Sequence, residues 1–287
     1  MAGAVTMLLD ASNYVLILML VALGLAIVFG LMNVINMAHG EFMMLGAYAV
    51  LACHQAGLPM AAGLVVAPLA VGLLGLAIEE LLIRRVYERL LDTILATWGL
   101  SLILKQSIVM AFGPGSYSLP NPLPMTVSVL GVDYPAYRLF IMVVTLAALG
   151  ATFWLFFRTE WGLAARSVIA NRSMAACLGI DTRRLDRLTF ACGAALAGLA
   201  GAVITPIVSL DPQMGTGFLV PAFLSILVGG LGSVAAPLAG ATAIGATDNL
   251  VSTFHSPVWA QGVVFTVAIV MIRMFPDGVM VRVHRRV

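Results

Sequence analysis

Long apolar runs alternate with short polar interruptions along almost the whole chain. Windows of about 18 or more apolar residues are typical of membrane-spanning helices, because a helix satisfies its backbone amides within its own segment. The apolar windows cover residues 14–32, 42–56, 60–78, 93–112, 139–157, 188–208, 218–232, 236–251 and 258–274. The pattern predicts an all-α, polytopic transmembrane bundle of about eight or nine spans, in which the shorter windows are broken or re-entrant helices.

Composition supports a purely membrane-embedded chain. Of its 287 residues, 61% are hydrophobic and 10% are charged, whereas soluble domains carry about 25% charged residues. A soluble fold of this composition would lack polar surface. We therefore expect one transmembrane domain over residues 1–287.

The basic residues predict which loops face the cytoplasm. Thirteen of the 15 Lys and Arg residues fall in residues 84–89, 158–187 and 273–287. Basic residues of short loops stay on the cytoplasmic side. We expect Arg84, Arg172 and Arg285, and with them the C-terminus, to be cytoplasmic.

The other two basic residues bracket a loop of opposite sidedness. Lys105 and Arg138 flank residues 113–137, which are rich in Pro and Gly. This composition indicates an ordered surface connection. We expect Pro120 outside, and Lys105 and Arg138 on or near the outer face.

Motifs for enzymatic chemistry are missing from the sequence. A P-loop ends in Lys followed by Ser or Thr, but Lys105, the single lysine, is followed by Gln106. His39 has no second His at zinc-protease spacing, and the three cysteines show no paired spacing. We expect no catalytic residues, no metal and no cofactor.

The first polar interruption, residues 33–41, has two interpretations. Ionisable residues at membrane depth usually face a cavity or the bundle interior, so Asn36, His39 and Glu41 are candidates for a broken helix that lines a translocation path. The alternative is a tight turn at the interface, with Asn36 capping the next helix and Glu41 near its positive end.

Small and polar residues recur in residues 93–106. Such residues usually permit tight helix contact, which is the favoured interpretation for Ser101. Thr97 and Ser101 are also candidates for the path.

A short helix is predicted in the loop 158–187. Asn171 is its cap and Gly179 its end. Met174, Ala175 and Leu178 supply a small apolar face beside Arg172. An amphipathic helix that ends at Gly suits docking into a partner's groove. We expect five residues to couple the chain to a partner: Arg172, Met174, Ala175, Leu178 and Gly179.

A second polar interruption, residues 209–217, includes Asp211 and is followed by a Gly-rich run at 228–233. Paired interruptions in two halves of a transporter point to inverted repeats and to the substrate route. Asp211 is therefore a further path candidate.

These stretches, in this order, resemble the permease subunits of ATP-driven importers for branched-chain amino acids and urea. The resemblance rests on residues 35–41 with 44–48, on 175–180 and on 227–233, and it extends from about residue 24 to 278. It implies a multi-pass protein of the bacterial inner membrane. It also identifies residues 174–179 with the helix that meets the ATPase.

The resemblance further implies a set of partners and a solute. The partners are a second homologous permease, two ATP-binding subunits that hydrolyse ATP, and an extracytoplasmic solute-binding protein. Residues 96–104 and 137–141 look closer to the urea branch, so the expected solute is urea or a short amide, ahead of a branched-chain amino acid.

A channel or an ion-coupled carrier that acts alone is the competing hypothesis. Such a carrier buries charged residues within its spans, and Lys105 and Asp248 are the in-span candidates.

Overall fold

The computed structural model describes residues 2–87, 90–129, 131–230, 234–276 and 278–279. Its architecture is helical, apart from a 3₁₀ turn at Ile83–Arg85 and an antiparallel hairpin of β1 (Thr126–Val129) and β2 (Val132–Pro135). The helices are α1 (Ala2–Met32), α2 (His39–Gln55), α3 (Met60–Leu81), α4 (Leu90–Phe112), α5 (Ala136–Arg158), α6 (Glu160–Ala170), α7 (Arg172–Cys177), α8 (Thr182–Ile204), α9 (Thr216–Gly229), α10 (Ala236–Phe254) and α11 (Pro257–Met274).

Within the described residues, 6 helices are long and apolar enough to cross a membrane. They are α1, α3, α4, α5, α8 and α11. α2 and α9 are shorter, with 17 and 14 residues. The polytopic helical bundle is confirmed, but the expected count of eight or nine spans is not.

Three elements differ from the prediction. α1 starts at Ala2 rather than at residue 14, and Asp10 in its first turns pairs with Arg138 at the start of α5. The loop 113–137 contains the β-hairpin, and the loop 158–187 contains α6. Each of these segments lacks the long apolar run on which the prediction relied.

The hairpin and the first turns of α1 hold each other in place. The Tyr134 hydroxyl donates to Asp10 Oδ1 at 2.8 Å, and Asn13 Nδ2 donates to the Arg138 carbonyl at 2.8 Å. Burial, followed by the hydrogen bond with Asp10, raises the pKa of Tyr134 to about 12, so the phenol stays protonated as the donor. The start of α1 therefore lies at the same end of the bundle as the hairpin.

α1 and α8 form the centre of the bundle and run antiparallel. Gly24 meets Gly193 so closely that a Cβ on Gly24 would lie 2.8 Å from the Gly193 carbonyl oxygen. Near the hairpin, Tyr137 donates to the Val203 carbonyl at 2.8 Å. Small residues let the two backbones approach, as is common between membrane helices.

The other helices are distributed evenly about this central pair. α2 and α3 pack on α8, and α9 and α10 pack on α1. α4 lies outside α2, and α11 lies outside α9 and α10. Each half of the chain thus packs its short helix against the long central helix of the other half.

Candidate functional site

The first polar interruption leaves the chain non-helical between α1 and α2. Asn33, just after α1, takes the left-handed conformation with φ 52°. Asn36 Oδ1 accepts a hydrogen bond from Ala38 N at 3.0 Å. Ala38 occupies the N-cap position without a side-chain cap. Asn36 therefore stabilises the turn before α2, and the alternative in which it caps the helix is wrong, because its side chain bonds two residues onward.

His39 and Glu41 lie in the first turn of α2 and are buried inside the bundle. His39 Nε2 lies 3.1 Å from the Val21 carbonyl oxygen of α1. A carbonyl only accepts, so Nε2 carries the proton and Nδ1 is an acceptor. Among the described residues, His39 Nδ1 and Asn36 Nδ2 have no hydrogen-bond partner. This burial favours a broken helix over a surface turn.

A polar face of α4 covers the interruption. Thr93, Thr97, Ser101 and Lys105 recur every fourth residue and so share one side of the helix. Thr97 Oγ1 accepts from Met37 N at 3.1 Å, which ties α4 to the non-helical segment. Ser101 is buried on the same face. The structure thus gathers five of the six predicted path residues, Asn36, His39, Glu41, Thr97 and Ser101, around the start of α2.

Lys105 adds a charge beside the interruption, after the sequence had placed it near the outer face and among the in-span candidates. Its Nζ lies 2.9 Å from Glu41 Oε1, and the two side chains are 23% and 1% exposed. The distance is that of an ion pair, but the angles are not those of a hydrogen bond, so the attraction is electrostatic. Lys105 is therefore paired with a carboxylate that is enclosed in the bundle.

The two polar interruptions touch each other. A Cβ on Gly40 would lie 2.5 Å from the Gly215 carbonyl oxygen, and a Cβ on Gly215 would lie 2.1 Å from that of Gly40. Gly215 immediately precedes α9, and Gly40 is in the first turn of α2. The N-terminal ends of the two short helices therefore meet, and such ends attract anionic groups.

Asp211 is not part of this gathered set. Its Oδ1 accepts from Gln213 N at 2.7 Å, which shapes the turn before α9. Leu210, its neighbour, exchanges backbone hydrogen bonds with Tyr117 in the long loop. Asp211 lies near Tyr48, about two turns along α2 from Glu41.

The predicted short helix in the loop 158–187 is confirmed. α7 covers Arg172–Cys177, Asn171 Oδ1 accepts from Met174 N at 3.0 Å, and Gly179 has φ 86°. Met174 and Leu178 are 58% and 76% exposed. Two large apolar side chains thus project from this loop.

Two of the predicted coupling residues make contacts within the subunit, one of them buried and the other exposed. Ala175 is only 2% exposed and packs in the core, because α6 and α8 cover that side of α7. Arg172 pairs with Asp186 of α8, with Nη1 to Oδ1 at 3.1 Å. The hydrogen bond with Asp186 raises the pKa of Arg172. Ala175 and Arg172 therefore hold α7 in place, and of the two only Arg172 keeps an exposed side chain.

A network of charges surrounds the same end of the bundle. Glu80 contacts both Arg84 and Arg187, at 3.4 Å for Arg187, and Tyr87 donates to Glu79. These residues, with Arg183 and Arg184, line a cleft between α3 and α8. Basic residues of two loops predicted to be cytoplasmic therefore cluster together, opposite the hairpin end.

Sequence reasoning missed Lys105 and Asp186 as partners, since each pairs with a residue distant in sequence. The four-residue spacing of Thr93, Thr97, Ser101 and Lys105 was the available signal for the first. Residues 231–233 of the Gly-rich run, and Arg285, lie outside the described residues.

Long apolar helices around two short helices that start together place this chain among the polytopic membrane proteins. The chain belongs to the family of branched-chain amino acid transport system permease components, which it matches over residues 7–273. Its resemblance to that family is thereby confirmed, and with it a multi-pass location in the membrane.

Several curated relatives cover almost the whole chain. The LivH permease proteins of high-affinity branched-chain amino acid transport in Salmonella typhimurium and Escherichia coli are each 28% identical, over 92% of this chain and 91% of theirs. The BraD permease protein of Pseudomonas aeruginosa is also 28% identical, with the same coverage. No solved structure matches the chain.

Proposed function

We propose that this chain is a membrane subunit of an ATP-driven importer for branched-chain amino acids. The observation that carries the proposal is the match of nearly the whole chain to the permease family and to relatives named for that transport. The same relatives give no support to urea or a short amide, which the sequence alone had favoured.

The proposed assembly follows from two features of the chain, the missing P-loop and the exposed apolar residues of α7. It has no P-loop, so separate ATP-binding subunits supply the energy. A second homologous permease completes the path, and an extracytoplasmic binding protein delivers the solute. Met174 and Leu178, exposed on a capped helix, are suited to a groove in an ATP-binding subunit.

In this proposal the chain consists of two inverted repeats. α1 to α4 form one and α8 to α11 the other, as the exchanged packing of their short helices suggests. The solute passes where α2 and α9 begin, beside Asn36, His39, Glu41, Thr97 and Ser101, with Asp211 in the outer approach. The cluster around Arg84 and Arg172 and the C-terminus face the cytoplasm, and Pro120 faces outside.

Substituting an exposed methionine at either end of the bundle tests the coupling to the ATP-binding subunit. We expect Met174→Glu, and more strongly Met174→Glu with Leu178→Glu, to lower recovery of the ATP-binding subunit and ATP-dependent leucine uptake together, by tenfold or more. A carboxylate in an apolar contact loses its hydration without a partner. Met125, 61% exposed in the opposite loop, is the matched control as Met125→Glu.

Normal recovery and normal uptake in the Met174 and Leu178 variants would contradict the coupling role. Ala175→Glu does not test it, because Ala175 is buried and a charge there destabilises the subunit itself. Uptake that needs no ATP and no partner subunit would favour the carrier that acts alone, for which the buried Glu41–Lys105 pair is the specific observation.

A further inference from the structure

We propose that Glu41 and Lys105 form a binding site for the two charges of a zwitterionic amino acid, each exchanging its present partner for one end of the solute. Glu41 takes the α-ammonium group and Lys105 takes the α-carboxylate. This inference rests on the proposed function and deepens it, since it names the residues of this chain that recognise the solute class.

The geometry supplies two opposite charges at one place. Lys105 Nζ and Glu41 Oε1 are 2.9 Å apart. Glu41 Oε2 has no hydrogen-bond partner among the described residues, and neither do His39 Nδ1 and Asn36 Nδ2 nearby in sequence. A buried carboxylate normally fills its lone pairs with donors. Glu41 therefore retains acceptor capacity that an ammonium group with three N–H donors would use.

Charge balance explains why the site selects a zwitterion. Separating two buried ions is costly when either is left unpaired. A zwitterion replaces both contacts at once, so the pair opens without leaving an uncompensated charge. A neutral solute such as urea replaces neither. The pair thereby acts as a barrier that only a solute with both charges lowers.

α4 is placed to open this pair. It packs mainly on α2 and the 3₁₀ turn. Its polar face is bonded to the first interruption through Thr97, which accepts from Met37 N, and through Lys105, which pairs with Glu41. Its other face is apolar and exposed, with Leu95, Leu102 and Met110 prominent. Lys105 is partly exposed while Glu41 is enclosed, so a solute meets the ammonium group first and reaches the carboxylate as α4 moves.

Ser101 supports the same site. It is buried one helical turn before Lys105 on the polar face. Its hydroxyl is a donor for a carboxylate held by Lys105. The N-terminal end of α2, which carries Glu41, adds partial positive charge at the same place.

The test uses the complete importer in proteoliposomes with its binding protein and radiolabelled leucine. The double variant Glu41→Gln/Lys105→Met removes both charges and leaves no lone buried ion, so it is expected to assemble with the wild-type thermal midpoint within a few degrees. We expect its ATP-dependent leucine uptake to fall more than tenfold. The matched control is Asp10→Asn/Arg138→Gln, which removes an ion pair at the hairpin end and should keep uptake within threefold.

If the double variant assembles normally and its uptake stays within threefold of wild type, the inference is overturned, because the pair would then only hold α4 in place. If the double variant fails to co-purify, Lys105→Arg and Lys105→Gln decide. The inference is supported if Lys105→Arg keeps uptake and Lys105→Gln loses it while the two complexes are recovered in equal amounts. Equal uptake by the two variants overturns it. A wild-type complex without ATP-dependent leucine uptake overturns the proposed function itself, and the inference with it.

Discussion

The two halves of the chain share a packing plan but differ in chemistry. In the first half, α2 begins with His39-Gly40-Glu41 and is covered by a polar face of α4 that ends in Lys105. In the second half, α9 begins with Thr216-Gly217-Phe218 and packs on α10 and α11, whose charged residues are Asp248 and Arg273. The common backbone arrangement builds a meeting point for two short helices, and the first half adds the Glu41–Lys105 ion pair to it.

The difference separates two requirements of such a site. Close approach of the short helices depends on backbone shape, for which Gly40 and Gly215 contribute equally. The proposed recognition of a charged solute depends on side chains, and its two charges, Glu41 and Lys105, come from the first half. We therefore expect substitutions of the two glycines to have similar effects, and substitutions of the carboxylates in the two interruptions to have different ones.

The largest effect is expected at the glycine contact. Gly40→Ala puts a Cβ 2.5 Å from the Gly215 carbonyl oxygen, and Gly215→Ala puts one 2.1 Å from that of Gly40. Backbone must move in either case, which we expect to cost about 3 kcal/mol or more of stability. Thermal unfolding of the purified subunit measures it. Gly217→Ala is the control, since nothing lies within 4 Å of that Cβ.

Unchanged stability in both Gly40→Ala and Gly215→Ala would show that the two interruptions do not touch. An effect at only one of them would break the equivalence of the halves at the backbone level.

The next largest effect distinguishes the two carboxylates. Glu41→Gln leaves Lys105 without its partner, and we expect a loss of about 2–3 kcal/mol, below the value for a fully enclosed pair because Lys105 is partly exposed. Asp211→Asn keeps the acceptor for Gln213 N, so we expect a change below about 0.5 kcal/mol. Detergent-solubilised subunits compared by thermal midpoint give both values.

Equal losses for Glu41→Gln and Asp211→Asn would mean that buried charge does not distinguish the halves. Adding Lys105→Met to Glu41→Gln is expected to recover most of the loss, because the lone ammonium group is then removed.

Local signals in the sequence explain which features were predictable. α7 was predicted because Asn171 and Gly179 act on their own segment, through a cap and a left-handed residue. The inward direction of Ala175 was not predictable, since it depends on α6 and α8, and α6 had been taken for loop. The β-hairpin was missed for a related reason, because a Pro- and Gly-rich segment reads as irregular when its partner strand is unknown.

The candidate site shows the same division between local and distant contacts. The interruption at residues 33–41 is visible as polar residues between apolar runs, and so Asn36, His39 and Glu41 were found. The pairing of Glu41 with Lys105 joins residues on different helices. The positive-inside rule assigns Lys105 to a surface, because it counts charges along the chain and does not consider whether a charge has a buried partner.

The smallest effect concerns how each half leaves its long helix. Asn33 has φ 52°, whereas the second interruption, residues 209–217, includes none with positive φ. Asn tolerates this conformation better than Ala, which pays about 1–2 kcal/mol there. We expect Asn33→Ala to lower stability by about 1 kcal/mol and Asn33→Gly to leave it within about 0.5 kcal/mol. Thermal midpoints of the two variants measure the difference. Equal midpoints would show that Asn33 does not need the left-handed conformation. The segments that follow α1 and α8 would then differ only in length.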